Sequence, residues 1–455
     1  FSKETMHEAC ILVETLGVPF KNEIIKLMCK IALNPYDEEF RMKSENATLE
    51  VVERRYPWIQ RRIKEIETLY EGVFPHYWGL KCFILHEFCS MTLIHVNEIL
   101  HEEKIEDVNT LLKALQATLK FESKITQELE KEYAPYIEEA KRDRAEDESG
   151  IQMNGQGNRI VPARSRDFVI TSIPKLKNSI SGTFESYMQP YLDREAEEIK
   201  ETITKAMGNE QLDPSSDTKV LESSISMFNI FKIVLKRASQ YSKTKTMFDI
   251  WRVLKESMKF YVDEVLEKLK TYEKSKNKDD FELFCCFVVN TGDYCKDILG
   301  NLADTVKHYL EPGYDEKVEA DEEEEYFNTM LNKGMEALAN YVDTKTEPMY
   351  NSMTKINWDK MSEVGDTSQF VKDVAQVYLN HIGIINDVIS ETYFVYYLNK
   401  IADQAQKNFQ NSLYKTKKLS DVAIQRLQLD VYELKTLLLG LIKIGSEGKK
   451  PPANA

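Results

Sequence analysis

Three potential metal ligands lie on one face of a predicted helix. Cys82, His86 and Cys89 are spaced at i, i+4 and i+7, which brings their side chains toward one side of an α-helix. Thiolate and imidazole are ligands that Zn²⁺ prefers, so this spacing could direct all three at one ion, as in a helical zinc hydrolase. No fourth ligand is evident, and large apolar residues surround the three. The sequence therefore favours packing of these side chains in a core, and it predicts neither a metal nor a cofactor.

Other candidate motifs of enzyme chemistry are incomplete. The acidic run Asp321 to Glu325 lacks the alternating oxygen ligands and the turn glycine of a calcium loop, so we expect a solvated loop. Gly155-Gln156-Gly157 has no third glycine and no preceding strand, unlike a dinucleotide fingerprint. The chain contains neither a G-x-x-x-x-G-K-[ST] loop nor a G-x-S-x-G elbow. The sequence predicts a protein that is not an enzyme.

A cluster of basic and aromatic residues is the first candidate for partner binding. It comprises Arg54, Arg55, Tyr56, Trp58 and Arg61. Arginine and large aromatic residues are enriched at the centres of protein interfaces, which makes this segment a candidate contact surface. The alternative is a solvated helix face with Trp58 turned inward.

A second candidate for partner binding lies near the C-terminal end. Trp358 is followed by Gly365 and Asp366. The alternative for this segment is a connection between two helices, in which Gly365 provides the turn because glycine tolerates positive φ. The sequence favours the connection.

The composition favours long amphipathic helices. The 455 residues include only 17 glycines and 13 prolines, and 30% are charged. The formal net charge is -15, which opposes binding to the phosphates of nucleic acids. The same charge opposes spontaneous adsorption to anionic membranes, so we expect any membrane contact to be indirect.

The seven cysteines form no regular framework. Their odd number and their positions in apolar segments predict free thiols in a reducing compartment, the cytosol. The apolar runs fall short of the roughly 18 residues that a membrane span needs, and no signal peptide is evident.

Helical periodicity and polar interruptions together predict the domain organisation. Apolar residues recur at steps of three and four along most of the chain, and no alternating strand pattern is convincing. We expect an all-α fold of stacked antiparallel helical bundles. The predicted divisions are an N-terminal bundle, a flexible linker, a middle bundle, an acidic loop and a C-terminal bundle, at residues 1–141, 142–166, 167–311, 312–325 and 326–455.

Several motifs recur in the order found in one known family. They are Arg54-Arg55-Tyr56-x-Trp58-Ile59-x-Arg61, Phe74-Pro75-x-x-Trp78, Glu87-Phe88-Cys89, Met353-x-Lys355-x-x-Trp358 and Val364-Gly365-Asp366-x-Ser368. The segments Phe281 to Pro312 and Leu427 to Ile444 continue the similarity. From about Ala9 onward the chain resembles the Vps53 subunit family of the Golgi-associated retrograde protein complex, a multisubunit vesicle tether.

The resemblance implies a fold, a function and partners. The fold is the elongated helical rod of tethering-complex subunits. The function is a non-catalytic role in retrograde transport from endosomes to the trans-Golgi network. Implied partners are the other subunits of the complex, syntaxin-type SNAREs, and Rab and Arf-like small GTPases. The implied location is the cytosol, with peripheral recruitment to the trans-Golgi network and endosomes.

Two related assignments remain open at this point. The same subunit family also serves an endosome-associated recycling complex, and another helical-rod tether such as the exocyst is possible, although the order of the motifs disfavours it. The chain opens with Phe1 rather than methionine. We therefore expect a fragment that lacks the N-terminal coiled-coil region of the family, and that cannot assemble the full tether alone.

Overall fold

The computed structural model describes residues 2–102, 107–149, 169–274 and 278–447. Over these residues the backbone forms α-helices and short 3₁₀ helices, without any β-strand. The all-α fold predicted from the periodicity is confirmed.

Thirteen α-helices occur within the described ranges. In chain order, α1 to α13 are Lys3–Leu16, Val18–Phe40, Arg55–Leu69, Leu80–Glu102, Val108–Ser149, Gln189–Gly208, Glu222–Ala238, Lys245–Lys274, Lys278–Tyr309, Asp321–Ser352, Gln369–Ile385, Glu391–Tyr414 and Asp421–Glu447. Short 3₁₀ helices lie between some of them, at Leu49–Arg54, His76–Trp78, Ser181–Tyr187, Asp315–Lys317, Met353–Lys355 and Trp358–Lys360. Pro57 lies in the first turn of α3, where its missing N–H leaves no hydrogen bond unmade.

The chain divides into two compact units. Unit one comprises Phe1–Arg194 and Arg237–Thr246, and unit two comprises Glu195–Lys236 and Met247–Ala455. This division does not coincide with the three bundles expected from the sequence, which stay a prediction.

Unit one has an aromatic core between α2, α3, α4 and α5. Tyr36 packs against Phe88, with ring centroids 4.8 Å apart, and Tyr56 stacks on Phe121 at 4.5 Å. Trp78 is completely buried, and its Nε1 donates a hydrogen bond of 2.8 Å to Glu14 Oε1. Burial of large aromatic rings contributes strongly to stability, so these side chains hold the four helices together.

Unit two is centred on the close packing of α9 against α10. α11 and α12 pack on α10, and α13 packs on both of them. Glycines permit the closest approach: a Cβ placed on Gly334 would lie 2.9 Å from Cγ1 of Val288, and one on Gly292 would lie 2.8 Å from Cβ of Leu331.

Two segments that the sequence predicted as loops are helical in part. Asp321 to Glu325 form the start of α10 instead of a solvated loop. Acidic residues in a first helical turn are stabilised by the helix dipole. Glu323 is moreover buried, with Oε2 3.2 Å from Lys255 Nζ.

The predicted linker at residues 142–166 is also wrong over its first part. α5 continues to Ser149. Residues 142–149 include strong helix formers, and they contain neither glycine nor proline. The rest of that linker, with Gly155-Gln156-Gly157, lies outside the described residues. Among the described helices, none combines the length and the apolar character needed to cross a membrane.

Candidate functional site

The basic and aromatic cluster at the start of α3 is split between the core and the surface. Arg55 and Tyr56 are buried, whereas Arg54 and Arg61 are exposed and Trp58 is half-buried. Because successive helical residues point about 100° apart, one compact sequence motif cannot present all of its side chains to a partner. The five residues therefore do not form one contact surface.

Arg55 holds together a polar network inside unit one. Its guanidinium donates hydrogen bonds to Tyr36 Oη at 2.9 Å and to the Phe40 carbonyl at 3.1 Å. It also lies 3.2 Å from Nδ1 of His95, and burial followed by the charge of Arg55 lowers the pKa of His95. A neutral His95 can accept from Arg55 at Nδ1 and donate from Nε2 to Asp37 Oδ1, 3.3 Å away. The prediction of Arg55 as a partner contact is wrong, since its donors are used internally.

Tyr56 and Trp58 also serve the fold to different degrees. The Tyr56 hydroxyl lies 2.5 Å from Thr118 Oγ1, and burial raises the pKa of Tyr56. Trp58 donates from Nε1 to Glu39 Oε2 at 2.8 Å, on a partly open face. Tyr56 is therefore excluded as a direct contact. Trp58, Arg54 and Arg61 stay predicted contact residues.

The second candidate cluster is a connection between helices. Trp358 is buried, and its Nε1 donates to the Met353 carbonyl at 2.8 Å. Gly365 has a φ of 59°, which suits the turn that the sequence favoured. The prediction of Trp358 as a partner contact is wrong, because its ring faces the core.

Asp366 is exposed at the same connection. Its carboxylate is 2.5 Å from Lys372 Nζ, and this hydrogen bond lowers the pKa of Asp366. Two residues further on, Ser368 precedes α11 and is bound by the buried carboxylate of Asp430, through its N–H at 2.7 Å and its hydroxyl at 2.6 Å. Asp366 stays a predicted contact residue, while Ser368 has a role in the fold.

Cys82, His86 and Cys89 do not converge on one point. The two cysteines are buried in the core, whereas His86 is exposed. At 100° per residue His86 lies about 60° around α4 from Cys89, which places it at the edge of the buried face. Burial raises the pKa of Cys82 and of Cys89 to about 12, so both thiols are protonated at neutral pH. The prediction that these side chains pack in a core is confirmed for the two cysteines and is wrong for His86.

A buried chain of polar groups in unit two has the composition of a catalytic relay. His381 Nδ1 lies 2.8 Å from Glu282 Oε1, and its Nε2 lies 2.5 Å from the Tyr397 hydroxyl. His381, Glu282 and Tyr397 are 3%, 1% and 0% exposed, respectively. These buried contacts connect α9, α11 and α12, and the network is covered from solvent.

Unit one contains a cleft that the sequence motifs did not predict. It lies between α3, α4 and α5, has a volume of about 300 Å³, and is called the α3–α5 cleft below. Its lining comprises Ile63, Ile66, Glu67, Tyr70, Glu71, Gly72, Phe74, Pro75, His76, Leu80, Lys81, Ile84, Glu132 and Tyr133. The one signal in the sequence is Phe74-Pro75, which forms part of the wall between two glycines with positive φ, Gly72 and Gly79.

The polar groups of the α3–α5 cleft belong to three helices. Lys81 Nζ of α4 lies 3.2 Å from Glu67 Oε1 of α3 and 2.8 Å from Glu132 Oε2 of α5. His76 Nε2 is 3.0 Å from Glu132 Oε1. The described groups of His, Cys, Asp and Glu include no set of three placed to hold a metal ion. The arrangement can bind a ligand by shape and charge, and it shows no nucleophile paired with a base.

Comparison with solved structures defines the class of fold. The chain is similar to the C-terminal domain of the exocyst subunit Sec6p, with a TM-score of 0.50, 10% sequence identity, and coverage of 59% of this chain and 73% of that one. The chain is therefore an all-α helical-bundle protein, and 59% of it shares the fold of an exocyst subunit domain.

Comparison of sequences shows similarity to Vps53 proteins. Residues 2–211 match the profile of the N-terminal region of Vps53. The chain is 26% identical to vacuolar protein sorting-associated protein 53 A of Arabidopsis thaliana over 477 residues, covering 96% of this chain and 57% of the relative. It is 23% identical to the Caenorhabditis elegans homologue over 478 residues, covering 98% and 54%. The chain is therefore similar to Vps53 proteins over nearly its whole length, and it spans a little over half the length of these relatives.

Proposed function

We propose that this chain is part of a non-catalytic subunit of a vesicle-tethering complex that acts in retrograde transport from endosomes to the trans-Golgi network. The similarity to Vps53 proteins is the observation that carries the proposal. The similarity to an exocyst subunit domain supports it, because that similarity covers more than half of the chain.

The mechanism in this proposal is spatial. Packed helices hold binding surfaces at fixed positions, while the other subunits, syntaxin-type SNAREs and small GTPases of the Rab and Arf-like classes provide contact with membranes. The net charge of -15 supports recruitment through proteins, since an acidic chain is repelled by anionic lipid surfaces. The protein is accordingly cytosolic, with peripheral recruitment to the trans-Golgi network and endosomes.

Exposed residues of the family motifs are the proposed contact points in this mechanism. Arg54 is exposed just before α3 and Arg61 is exposed on it, Trp58 is half-buried, and Asp366 is exposed before α11. Rim charges of this kind mainly govern the rate of association and its salt dependence. We expect Arg54→Glu with Arg61→Glu to weaken capture of a partner without changing the fold.

Depletion and rescue in cells test the proposed function. Cells depleted of the protein are supplied with the wild type or with the Arg54→Glu, Arg61→Glu variant, and the return of a cycling receptor from endosomes to the trans-Golgi network is followed by microscopy. Depletion should trap the receptor in endosomes, the wild type should restore its return, and the variant should restore it only in part.

The same cells distinguish the two complexes that the family serves. Return of a second receptor from endosomes to the plasma membrane is measured in parallel. A defect confined to that second route would contradict retrograde transport and assign the chain to the endosome-associated recycling complex. Unimpaired movement on both routes after complete depletion would contradict a tethering role.

A further inference from the structure

We propose that the α3–α5 cleft is a binding site for an extended peptide segment of a partner protein, one that carries a large apolar side chain next to lysine or arginine. The proposal goes beyond the tethering function and does not depend on it. It is based on the shape, the charge and the rigidity of the cleft.

The walls of the cleft select an apolar side chain. The apolar lining includes Ile63 and Ile66 of α3, Leu80 and Ile84 of α4, and the ring of Tyr133 of α5. The volume of about 300 Å³ is at the lower end of the range of about 300–1,000 Å³ for ligand sites. A site of this size suits one large side chain and its neighbours in an extended peptide better than a dinucleotide.

The rim of the cleft selects a positive charge. Three carboxylates, Glu67, Glu71 and Glu132, stand against the one ammonium group of Lys81. Two negative charges are left after that pairing. Like charges brought together oppose binding, so nucleotides, phosphoinositide headgroups and acidic peptides are disfavoured, whereas a lysine or arginine beside the inserted apolar side chain is attracted.

The cleft is preformed by contacts on the far side of its loop. His7 Nδ1 lies 3.0 Å from the Val73 carbonyl, and Glu14 accepts hydrogen bonds of 2.8 Å from both Tyr77 Oη and Trp78 Nε1. Glycines at the two ends of the loop adopt positive φ, 76° at Gly72 and 69° at Gly79. A rigid site avoids the loss of conformational entropy on binding, which favours recognition of a short segment.

Binding of defined peptides to the purified chain tests the proposal. The probes are fluorescein-labelled nonapeptides of glycine and serine with a central phenylalanine or leucine flanked by two arginines. Matched peptides carry a central alanine or flanking glutamates. Dissociation constants are measured by fluorescence anisotropy at physiological salt for the wild type and three variants, each checked by thermal melting.

The three variants separate the cleft from the rest of the surface. Leu80→Trp fills the apolar part, Glu71→Lys reverses a charge on the exposed rim, and Glu45→Lys makes the same charge change at an exposed residue outside the cleft. We expect the arginine-flanked apolar peptides to bind the wild type, and Leu80→Trp to abolish that binding. Glu71→Lys and the central alanine should each weaken binding about tenfold or more, and Glu45→Lys should change it less than about twofold.

Several results would overturn the proposal. Absence of binding by every arginine-flanked peptide would do so, as would equal binding of the glutamate-flanked peptides. If Leu80→Trp fails to fold, unchanged binding by the folded Glu71→Lys variant would be decisive against it. Self-association of the wild-type chain that Leu80→Trp removes would assign the cleft to a second copy and also contradict the proposal.

Discussion

Adjacent residues of one family motif have opposite environments in this protein. The Arg54 side chain is exposed, and the Arg55 side chain is fully buried among Tyr36, Phe40 and His95. A planar guanidinium can donate to several acceptors at once and pack on aromatic faces, and Arg55 does both, with its guanidinium carbon 4.9 Å from the Phe40 ring centroid. The motif thus combines a residue that stabilises the core with residues available at the surface.

The two arginines should respond differently to truncation. Arg55→Ala removes two hydrogen bonds from a charged donor, each contributing about 1.5–3 kcal/mol, so we expect unit one to lose about 3 kcal/mol or more of stability. Arg54→Ala, the matched control, should change stability by less than about 0.5 kcal/mol. Thermal and urea unfolding, monitored by circular dichroism, measure the stability of both variants. Equal melting of the two variants would show that the Arg55 network adds nothing to stability.

The thiols should be unreactive in the folded protein. All seven cysteines are free and buried, and burial raises the pKa of Cys29 and Cys82 to about 12. Since the thiolate is the reactive form, iodoacetamide at pH 8 should modify almost no cysteine in the native chain and all seven in guanidinium chloride. Intact mass spectrometry counts the modified residues. Fast native labelling of Cys82 or Cys89 would contradict the burial described for α4.

At the level of elements, the contact between α9 and α10 depends on glycines at the helix surface. Gly334 of α10 faces Val288 and Val289 of α9, and Gly292 of α9 faces Phe327 and Leu331 of α10. Glycine lowers helix stability by about 1 kcal/mol relative to alanine, so its presence in two long helices needs a structural reason. Here the reason is the short distance between the two helix backbones.

Substitution of two helical glycines tests that packing. A Cβ on Gly334 would lie 2.9 Å from Val288 and 3.2 Å from Val289, so Gly334→Ala should destabilise unit two by about 1–3 kcal/mol through overpacking. Gly300 lies in α9 with nothing within 4 Å of an added Cβ, and Gly300→Ala should instead stabilise the helix by about 0.5–1 kcal/mol. Urea unfolding of both variants measures these two changes in the free energy of unfolding. A gain in stability for Gly334→Ala would contradict the close approach of α9 and α10.

Sequence periodicity predicted long helices more reliably than it predicted their ends and their faces. In α8, for example, Met258, Tyr261, Val265 and Leu269 form one buried stripe, which is why long helices could be predicted from the apolar spacing. The start of α10 could not, because Asp321 to Glu325 carry a charge pattern typical of loops. That segment is helical with Glu323 buried beside Lys255, a partner distant in the sequence.

The candidate site was harder to predict than the helices for the same physical reason. Whether Arg55 or Arg54 points into the core depends on which side of α3 meets α2 and α4, and local sequence does not determine that. The α3–α5 cleft arises where three helices separated in the sequence leave a gap. Only Phe74-Pro75, with its flanking glycines, gave an indication of an unusual loop.

At the scale of the whole molecule, the similarity to Vps53 proteins and the all-α fold support the proposed role as a scaffold that holds binding surfaces in place. Residues 2–211 match the N-terminal region of Vps53, and the chain spans 57% and 54% of two Vps53 relatives. The exposed motif residues and the α3–α5 cleft are the places where we propose that other proteins bind.

Vesicle capture at an artificial location tests the central claim most directly. The protein is fused to a mitochondrial outer-membrane anchor in cells depleted of the endogenous copy, the anchor alone serves as the control, and electron microscopy counts the vesicles near mitochondria. If the chain is part of a tethering subunit, vesicles carrying endosome-derived cargo should accumulate around mitochondria only when the fusion is present. Mitochondria that carry the fusion and its partner subunits, yet remain as free of vesicles as the control, would contradict this account.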